Sequence, residues 1–385
     1  MQTRLHIAQV AAEKLAATSP FSAMVGFDGF IDEIISVVDQ RSDMSAAGYS
    51  RLNTIGQFAA RAAAAAGKST NMELVVNEER WGGNGPLMAG ALGSLGAKVT
   101  YIGAVGKVEK PTELHPLYAE MAARCEKVIP VAPPALTHAF EFEDGKIMFG
   151  KTANVQRVTW EQIVATVGLE QMRAIVSGSR LIGIVNWTML GGVEGIWEGL
   201  CRDVLSQDPS LSHTLRIFVD LSDPAKRTDA DILRCFETLG RLSIFVPVTL
   251  GLNLAEAERV AAVLGIRCFG DCAAKISIAV RQAAAMIREA AKLDCVVIHP
   301  RQGAGAATAN ATGWFDGPFT SQPKLSTGAG DHFNGGFAFA QALGLSLDEC
   351  LAVGCAVSGV YVRDAKSPTL ARLTEFLRVL PDPQH

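Results

Sequence analysis

The sequence has no Cys-x-x-Cys pair, no apolar run long enough to span a bilayer, little charge imbalance and no low-complexity linker. Each absence removes a class of protein. The eight cysteines, Cys125, Cys201, Cys235, Cys268, Cys272, Cys295, Cys350 and Cys355, are scattered without zinc-ligand spacing. Several lie in apolar surroundings such as Asp294-Cys295-Val296-Val297, so they read as small buried hydrophobes in a reducing cytoplasm. A net charge of −4 gives no reason to expect nucleic acid or a membrane as partner. Met1 to Ser22 is Ala-rich and suits an amphipathic helix, but Glu13 interrupts it and it lacks the apolar core of a secretion signal.

What remains is a chain of 385 residues, 49% of them apolar, enough for one large α/β domain or two smaller ones. Short β-branched runs alternate with Ala/Leu-rich helical patterns. Candidate strands are Ala23–Phe27, Lys98–Gly103, Arg180–Asn186, Arg216–Leu221, Ser243–Val246 and Cys295–His299. Candidate helices are Leu87–Leu95, Thr159–Val176, Val193–Leu205, Ala230–Leu239, Leu254–Leu264, Ser277–Lys292 and Asp331–Leu343. Such alternation predicts a mostly parallel sheet with helices on both faces, and ligands gather at the carboxyl ends of its strands. Two regions break the alternation. Asp144-Gly145, between alternating runs, predicts a hairpin. Ile31–Asp39 and Met72–Asn77 read as extended pieces around a helix near Thr54–Ala66. Together these predict a small β lid, from segments near 28–40, 70–80 and 137–150, on a single domain over 1–385.

The densest chemistry lies in Leu325-Ser326-Thr327-Gly328-Ala329-Gly330-Asp331-His332-Phe333-Asn334. Phe333, Phe337 and Ala340 recur at helical spacing, which puts Gly328 to Gly330 at a helix N-terminus whose free N–H groups favour an anion. Asp331 beside a phosphate cradle suits deprotonation of an attacking hydroxyl. Three weaker constellations accompany it. In Phe27-Asp28-Gly29-Phe30-Ile31-Asp32, a continuing strand would place Asp28 and Asp32 on one face, suited to sugar hydroxyls; a turn with a solvated Asp32 is the alternative. In Trp81-Gly82-Gly83-Asn84-Gly85-Pro86, the glycines allow close backbone approach to a ligand, Asn84 could bridge vicinal hydroxyls, and Pro86 suits the first position of a helix. Asn253 with Glu256 is a capping box, and Glu256 could also orient water on magnesium.

These residues resemble the ribokinase/PfkB family of small-molecule kinases. Thr327 to Asp331 with Phe333 match its C-terminal signature; Gly82-Gly83, Leu95-Gly96-Ala97 and Tyr101-Ile102-Gly103-Ala104-Val105-Gly106 match its N-terminal motifs; Asn253 and Glu256 match its Asn-x-x-Glu, all collinear over about residues 23 to 370. The resemblance implies a ribokinase-like three-layer α/β sandwich with a β lid. It also implies ATP-dependent phosphoryl transfer to a sugar or similar alcohol in the cytoplasm, with Mg2+, and a homodimer through the lid as one arrangement. By the same resemblance Asp331 is the base, and Gly328, Ala329 and Gly330 form the anion hole. Asn253, Glu256 and Thr327 serve nucleotide and magnesium, Lys151 touches phosphates, and Asp32 or Asp28 binds substrate with Gly82, Gly83 and Asn84. Three positions depart. Leu87 stands where Asn is common. Leu325 replaces an acid that helps hold a monovalent cation, leaving that requirement open. His299-Pro300-Arg301 replaces a Thr-x-Gly, with Arg301 either facing phosphates or solvated. Arg80-Trp81-Gly82-Gly83 and Ile298-His299 also resemble ADP-dependent sugar kinases, and a non-catalytic binding protein on this scaffold is a further alternative. Trp187, after a strand, lines the substrate pocket or belongs to the core.

Overall fold

The computed structural model describes residues 3–269 and 275–384. Cys272 lies outside them; the other seven cysteines are free thiols. In chain order the strands are β1 (Ser22–Phe27), β2 (Phe30–Arg41), β3 (Tyr49–Arg51), β4 (Leu74–Gly82), β5 (Lys98–Gly103), β6 (Lys127–Pro130) and β7 (Ala135–Phe142). They continue with β8 (Gly145–Lys151), β9 (Leu181–Val185), β10 (Arg216–Asp220), β11 (Val248–Leu252), β12 (Cys295–Ile298), β13 (Gly303–Thr308) and β14 (Thr312–Asp316).

Nine strands form one sheet in the order β14-β13-β12-β11-β10-β9-β1-β5-β6. Pairing is parallel from β6 to β12 and antiparallel at β13 and β14. Side-chain alternation splits its apolar residues between two helical layers. Met24, Ile184, Ile217, Val219, Leu250 and Val296 pack on one face with helices that include Val193–Asp203, Asp229–Leu242 and Ile276–Ala291. Ala23, Val25, Tyr101, Phe218 and Val297 pack on the other with helices Arg4–Ala16, Asn84–Ser94, Ala329–Ala342 and Leu347–Asp364. The result is a three-layer α/β sandwich. β1 has β5 on one side and β9 on the other, so the strand order reverses there. Ligand crevices open at such switch points, beyond the carboxyl ends of the strands.

The second sheet runs β3-β2-β7-β8, with β4 also paired to β2. The hairpin at Asp144-Gly145 is present, with Phe142 opposite Gly145. Phe58, on helix Ile55–Ala63, packs on Phe140 and Phe142 and covers one face of this sheet. The opposite face carries Asp32, Thr137 and Arg80, which are aligned across three strands.

Several expectations need correction. β1 does not continue through Asp28; the chain passes between sheets at Asp28-Gly29, where a Cβ on Gly29 would strike the Ala104 carbonyl oxygen. Ser243–Val246 is a turn closing helix Asp229–Leu242, and the strand begins after Pro247. The helix expected over Thr159–Val176 is two, Trp160–Val167 and Leu169–Ser177, broken at Gly168 with φ 86. Pro86 is the third residue of its helix, which starts at Asn84. Trp187 is 1% exposed; its Nε1 donates to Glu194 and Arg227 lies over its ring, so it belongs to the core.

Candidate active site

Helix Ala329–Ala342 starts where small residues permit a turn that longer side chains would block. Gly328 caps it with φ 86, a conformation that excludes most side chains. A Cβ there would sit 3.0 Å from the Tyr361 hydroxyl and 3.2 Å from Leu87 Cδ1. Ala329 N–H donates to Ser326 O at 3.2 Å and closes a turn. The N–H groups of Gly328, Gly330 and Asp331 have no intramolecular acceptor among the described residues. They are the free donors expected in the first turn. Of the three expected cradle residues, Ala329 therefore has its amide engaged.

Asp331 is buried in that first turn and accepts a hydrogen bond from Asn84 Nδ2 at 2.8 Å. Burial, then the charge of Asp220, raises its pKa well above the usual carboxylate range, while the Asn84 bond opposes the rise. Leu87, where an Asn is common in the resembling family, packs against Gly328; Asn84 is the residue that reaches the acid.

Asn84 is aimed by Asp28. Both oxygens of Asp28, at the carboxyl end of β1, are engaged: Gly85 N donates at 2.7 Å, Asn84 N at 3.0 Å and Asn186 Nδ2 at 2.7 Å. It is 0% exposed, and burial raises its pKa to about 6. This corrects the expectation that Asp28 shares a substrate face with Asp32. Asp28 anchors the N-terminus of helix Asn84–Ser94 and has no open surface. Asp32 keeps one: it is half-buried on β2, and its pKa is raised by burial against a hydrogen bond from Thr137. Gly82 closes β4 opposite Phe30, and Gly83 takes φ 110 with Asp28 Oδ2 3.3 Å from where its Cβ would be. The glycine pair thus brings β4 and the helix start against Asp28.

Sequence reasoning missed three polar residues here. Asn186 follows β9, Asp220 ends β10, and Asn334 lies one turn beyond Asp331, donating from Nδ2 to Asp220 at 2.7 Å. A polar residue closing a buried apolar run, Leu181–Val185 or Ile217–Val219, is the signal that could have found the first two. Glu256 completes the group. The capping box is formed: Glu256 N donates to Asn253 Oδ1 and Asn253 N to Glu256 Oε2, each at 2.9 Å, and Asp223 N donates to Oε1 at 2.9 Å. Burial and the neighbouring Asp220 push Glu256 up to about 7. Among the described residues no three His, Cys, Asp or Glu side chains form a direct metal cage.

A cavity of about 690 Å³ opens beside this acid group, lined in part by Asn253, His299, Arg301, Thr327, Ala329 and Gly330. Its size is within the range of small-molecule sites. His299 is half-buried and stacks on Phe333 at 4.5 Å, while Arg301 is exposed at the rim. Lys151 is not brought in: it is exposed at the end of β8, outside the lining, without an ion-pair partner among the described residues.

The model of the prokaryotic ketohexokinase family matches residues 1–379. A ketohexokinase from Haloferax volcanii is 31% identical over 366 residues, covering 92% of this chain and 90% of its own. Two solved structures share the fold. Ribokinase from Arabidopsis thaliana, complexed with ribose and ATP, aligns with TM-score 0.61 and 14% identity over 94% of this chain and 99% of its own. Ribokinase from Cryptococcus neoformans var. grubii serotype A, in complex with ADP, aligns with TM-score 0.60 and 16% identity over 93% and 99%. With the family match running nearly end to end, the chain belongs to the prokaryotic ketohexokinase family, carbohydrate kinases on the ribokinase fold.

Proposed function

We propose that this kinase transfers the terminal phosphoryl group of ATP to a hydroxyl of a ketohexose, with Asp331 as general base. The observation that carries the reading is the placement of Asp331. It sits in the first turn of a helix with free N–H groups, held by Asn84 at 2.8 Å, beside a cavity of about 690 Å³. A base with a raised pKa holds its proton better once it has taken it from the alcohol. The Gly328 and Gly330 amides are oriented dipoles where charge develops on the transferring group, and one such donor is typically worth ~2.7–4 kcal/mol. The turn at Ser326–Ala329 would have to open for the Ala329 amide to join them.

Asp32 binds the sugar in this reading, with Gly82 and Gly83 bringing the lid strand close. The lid is the second sheet, borne on a single domain. Arg301 and Thr327 face the nucleotide; Lys151 would reach it only if the lid moves. Magnesium fits the acid group, since Glu256 and Asp220 raise each other's affinity for positive charge, with Asn253 and Glu256 holding the ion through water. When bound, it would neutralise charge on the phosphates.

The free thiols fit a cytoplasmic enzyme, and among the described residues no helix is long and apolar enough to cross a membrane. Exposed Leu74, Val76, Met148 and Phe149 make the second sheet the surface for a homodimer. The deciding experiment offers a ketohexose with Mg-ATP or Mg-ADP to wild type and Asp331→Asn. Sugar phosphate should form with ATP and drop by roughly 10²–10⁴-fold in the variant. Turnover with ADP alone would reverse the donor, and an active Asp331→Asn would remove the base.

A further inference from the structure

The loop before Asp331 is held from behind by two side chains that the phosphoryl-transfer reading does not use. Tyr361, on helix Leu347–Asp364, donates its hydroxyl hydrogen to Thr327 O at 2.8 Å. His332 Nδ1 lies 2.7 Å from Gly328 O, and its Nε2 lies 2.8 Å from Ser367 Oγ. The two rings stack, with centroids 3.6 Å apart and planes 16° from parallel. Ser367 Oγ also accepts from Arg124 Nη1 at 3.0 Å.

The polarity of this chain follows from the groups in it. A carbonyl oxygen only accepts, so the His332 proton sits on Nδ1. Nε2 is then bare and accepts from the Ser367 hydroxyl. Arg124 donates to Ser367, Ser367 to His332, and His332 to Gly328. All three bonds run one way, and each polarises the next. Burial holds the imidazole neutral by lowering its pKa to about 4, which keeps one nitrogen free to accept.

In a trans peptide the C=O and the following N–H point in opposite directions. Tyr361 fixes the Thr327 carbonyl, so it fixes the Gly328 N–H, one of the free donors. The His332 ring joins its own backbone N–H, at 3.1 Å, in holding the Gly328 carbonyl, and with it the plane whose Ala329 N–H bonds Ser326 O. Gly328 itself is at φ 86 and ψ 0, and the Tyr361 hydroxyl lies 3.0 Å from where its Cβ would be. Glycine alone lets the tyrosine come this close while the backbone turns.

We propose that His332 and Tyr361 are positioning residues for phosphoryl transfer, which hold the peptide planes of Thr327-Gly328-Ala329 so that the Gly328 N–H is oriented as a cradle donor, and the turn behind it kept in place, before substrate binds. The inference rests on the anion-cradle reading of Gly328–Gly330. It assigns a task to the position after the base and to a tyrosine thirty residues on, and neither touches substrate. A loose loop would need to reorganise during each turnover, and that cost falls on the transition state.

The test measures steady-state kinetics with a ketohexose and Mg-ATP on Tyr361→Phe, His332→Phe, the double variant and Asp331→Asn. Tyr361→Phe removes one oxygen and keeps the stack; its melting transition shows that it is folded. The expected result is kcat lowered about tenfold or more, with KM for both substrates within about twofold. The double variant should lose less than the product of the single losses, because both residues hold one loop. A Tyr361→Phe enzyme with wild-type kcat, or a loss seen only in KM or melting temperature, overturns the inference. The two readings separate cleanly. An inactive Asp331→Asn beside a fully active Tyr361→Phe sinks only the positioning role, whereas an active Asp331→Asn sinks the base assignment.

Discussion

Asn84 Nδ2 donates to Asp331 Oδ1 at 2.8 Å, joining residues 247 positions apart across the crevice at the end of β1. The bond favours the ionised acid, while burial and the Asp220 charge favour the protonated one. In Asn84→Ala the opposing hydrogen bond is gone, so the pKa of Asp331 rises further. The proposed base must be unprotonated to act, so the acid limb of the kcat/KM profile should move to higher pH, with activity recovered at alkaline pH. The backbone bond from Asn84 N to Asp28 survives this change, so the helix start should hold. A pH–rate profile that superimposes on wild type would show that Asn84 does not tune the base.

Asp28 makes a prediction about stability. Its pKa is raised by burial from 3.8 to about 6, against three hydrogen bonds. A carboxyl that holds its proton more tightly folded than unfolded stabilises fully below its unfolded value. That stabilisation is lost as pH rises through the folded value. Asp28→Asn does not titrate, and its amide faces donors, at a constant cost of about 1–3 kcal/mol. The advantage of wild type over Asp28→Asn in urea unfolding should therefore shrink between about pH 4 and about pH 7. An advantage that grows over that window would mean the buried carboxylate is favoured in its charged form.

The parts of the site that could be read in the sequence are those that depend on near neighbours. Small residues before a helical period locate the turn at Gly328, and Asn253 with Glu256 three residues on specifies a cap. The parts that could not be read depend on distant backbone. Whether β1 runs through Asp28 is decided by the Ala104 carbonyl beside Gly29, far along the chain. Whether Asn84 or position 87 meets the acid depends on helix Asn84–Ser94 docking on Gly328. Sequence pattern points to a strand at Ser243–Val246 rather than at β11 because Pro247 and Gly251 disguise the buried strand. Gly251 is needed there, since a Cβ would lie 2.6 Å from the Phe218 ring and 3.0 Å from Asn334 Oδ1.

Glu256 is a helix cap and is proposed as a magnesium support, and substitution separates the two. As a cap its carboxylate accepts from Asn253 N and Asp223 N, each at 2.9 Å. Glutamine has one acceptor oxygen, so Glu256→Gln keeps only part of this and should lose about 1 kcal/mol of stability. As a water-mediated support for magnesium it needs its charge. The Mg2+ concentration for half-maximal rate should then rise about tenfold or more, with saturating Mg2+ restoring much of kcat. An unchanged Mg2+ titration would leave Glu256 as a cap alone.

Gly328 and Gly344 both adopt positive φ, 86 and 76, so alanine at either carries the same kind of backbone penalty, about 1–2 kcal/mol. They differ in what surrounds them. A Cβ on Gly344 meets nothing within 4 Å, whereas one on Gly328 meets the Tyr361 hydroxyl at 3.0 Å and Leu87 at 3.2 Å. Gly344→Ala should therefore lower the melting temperature and leave kcat alone. Gly328→Ala pushes on the hydroxyl that fixes the Thr327 carbonyl, and it tilts the Gly328 N–H away from the cleft. Its kcat should fall by about tenfold or more beyond any loss shared with Gly344→Ala. The pair subtracts general backbone strain from the local effect. If the two variants match in both melting temperature and kcat, the Gly328 amide takes no part in the chemistry, and the cradle must be sought among the remaining free donors at Gly330 and Asp331.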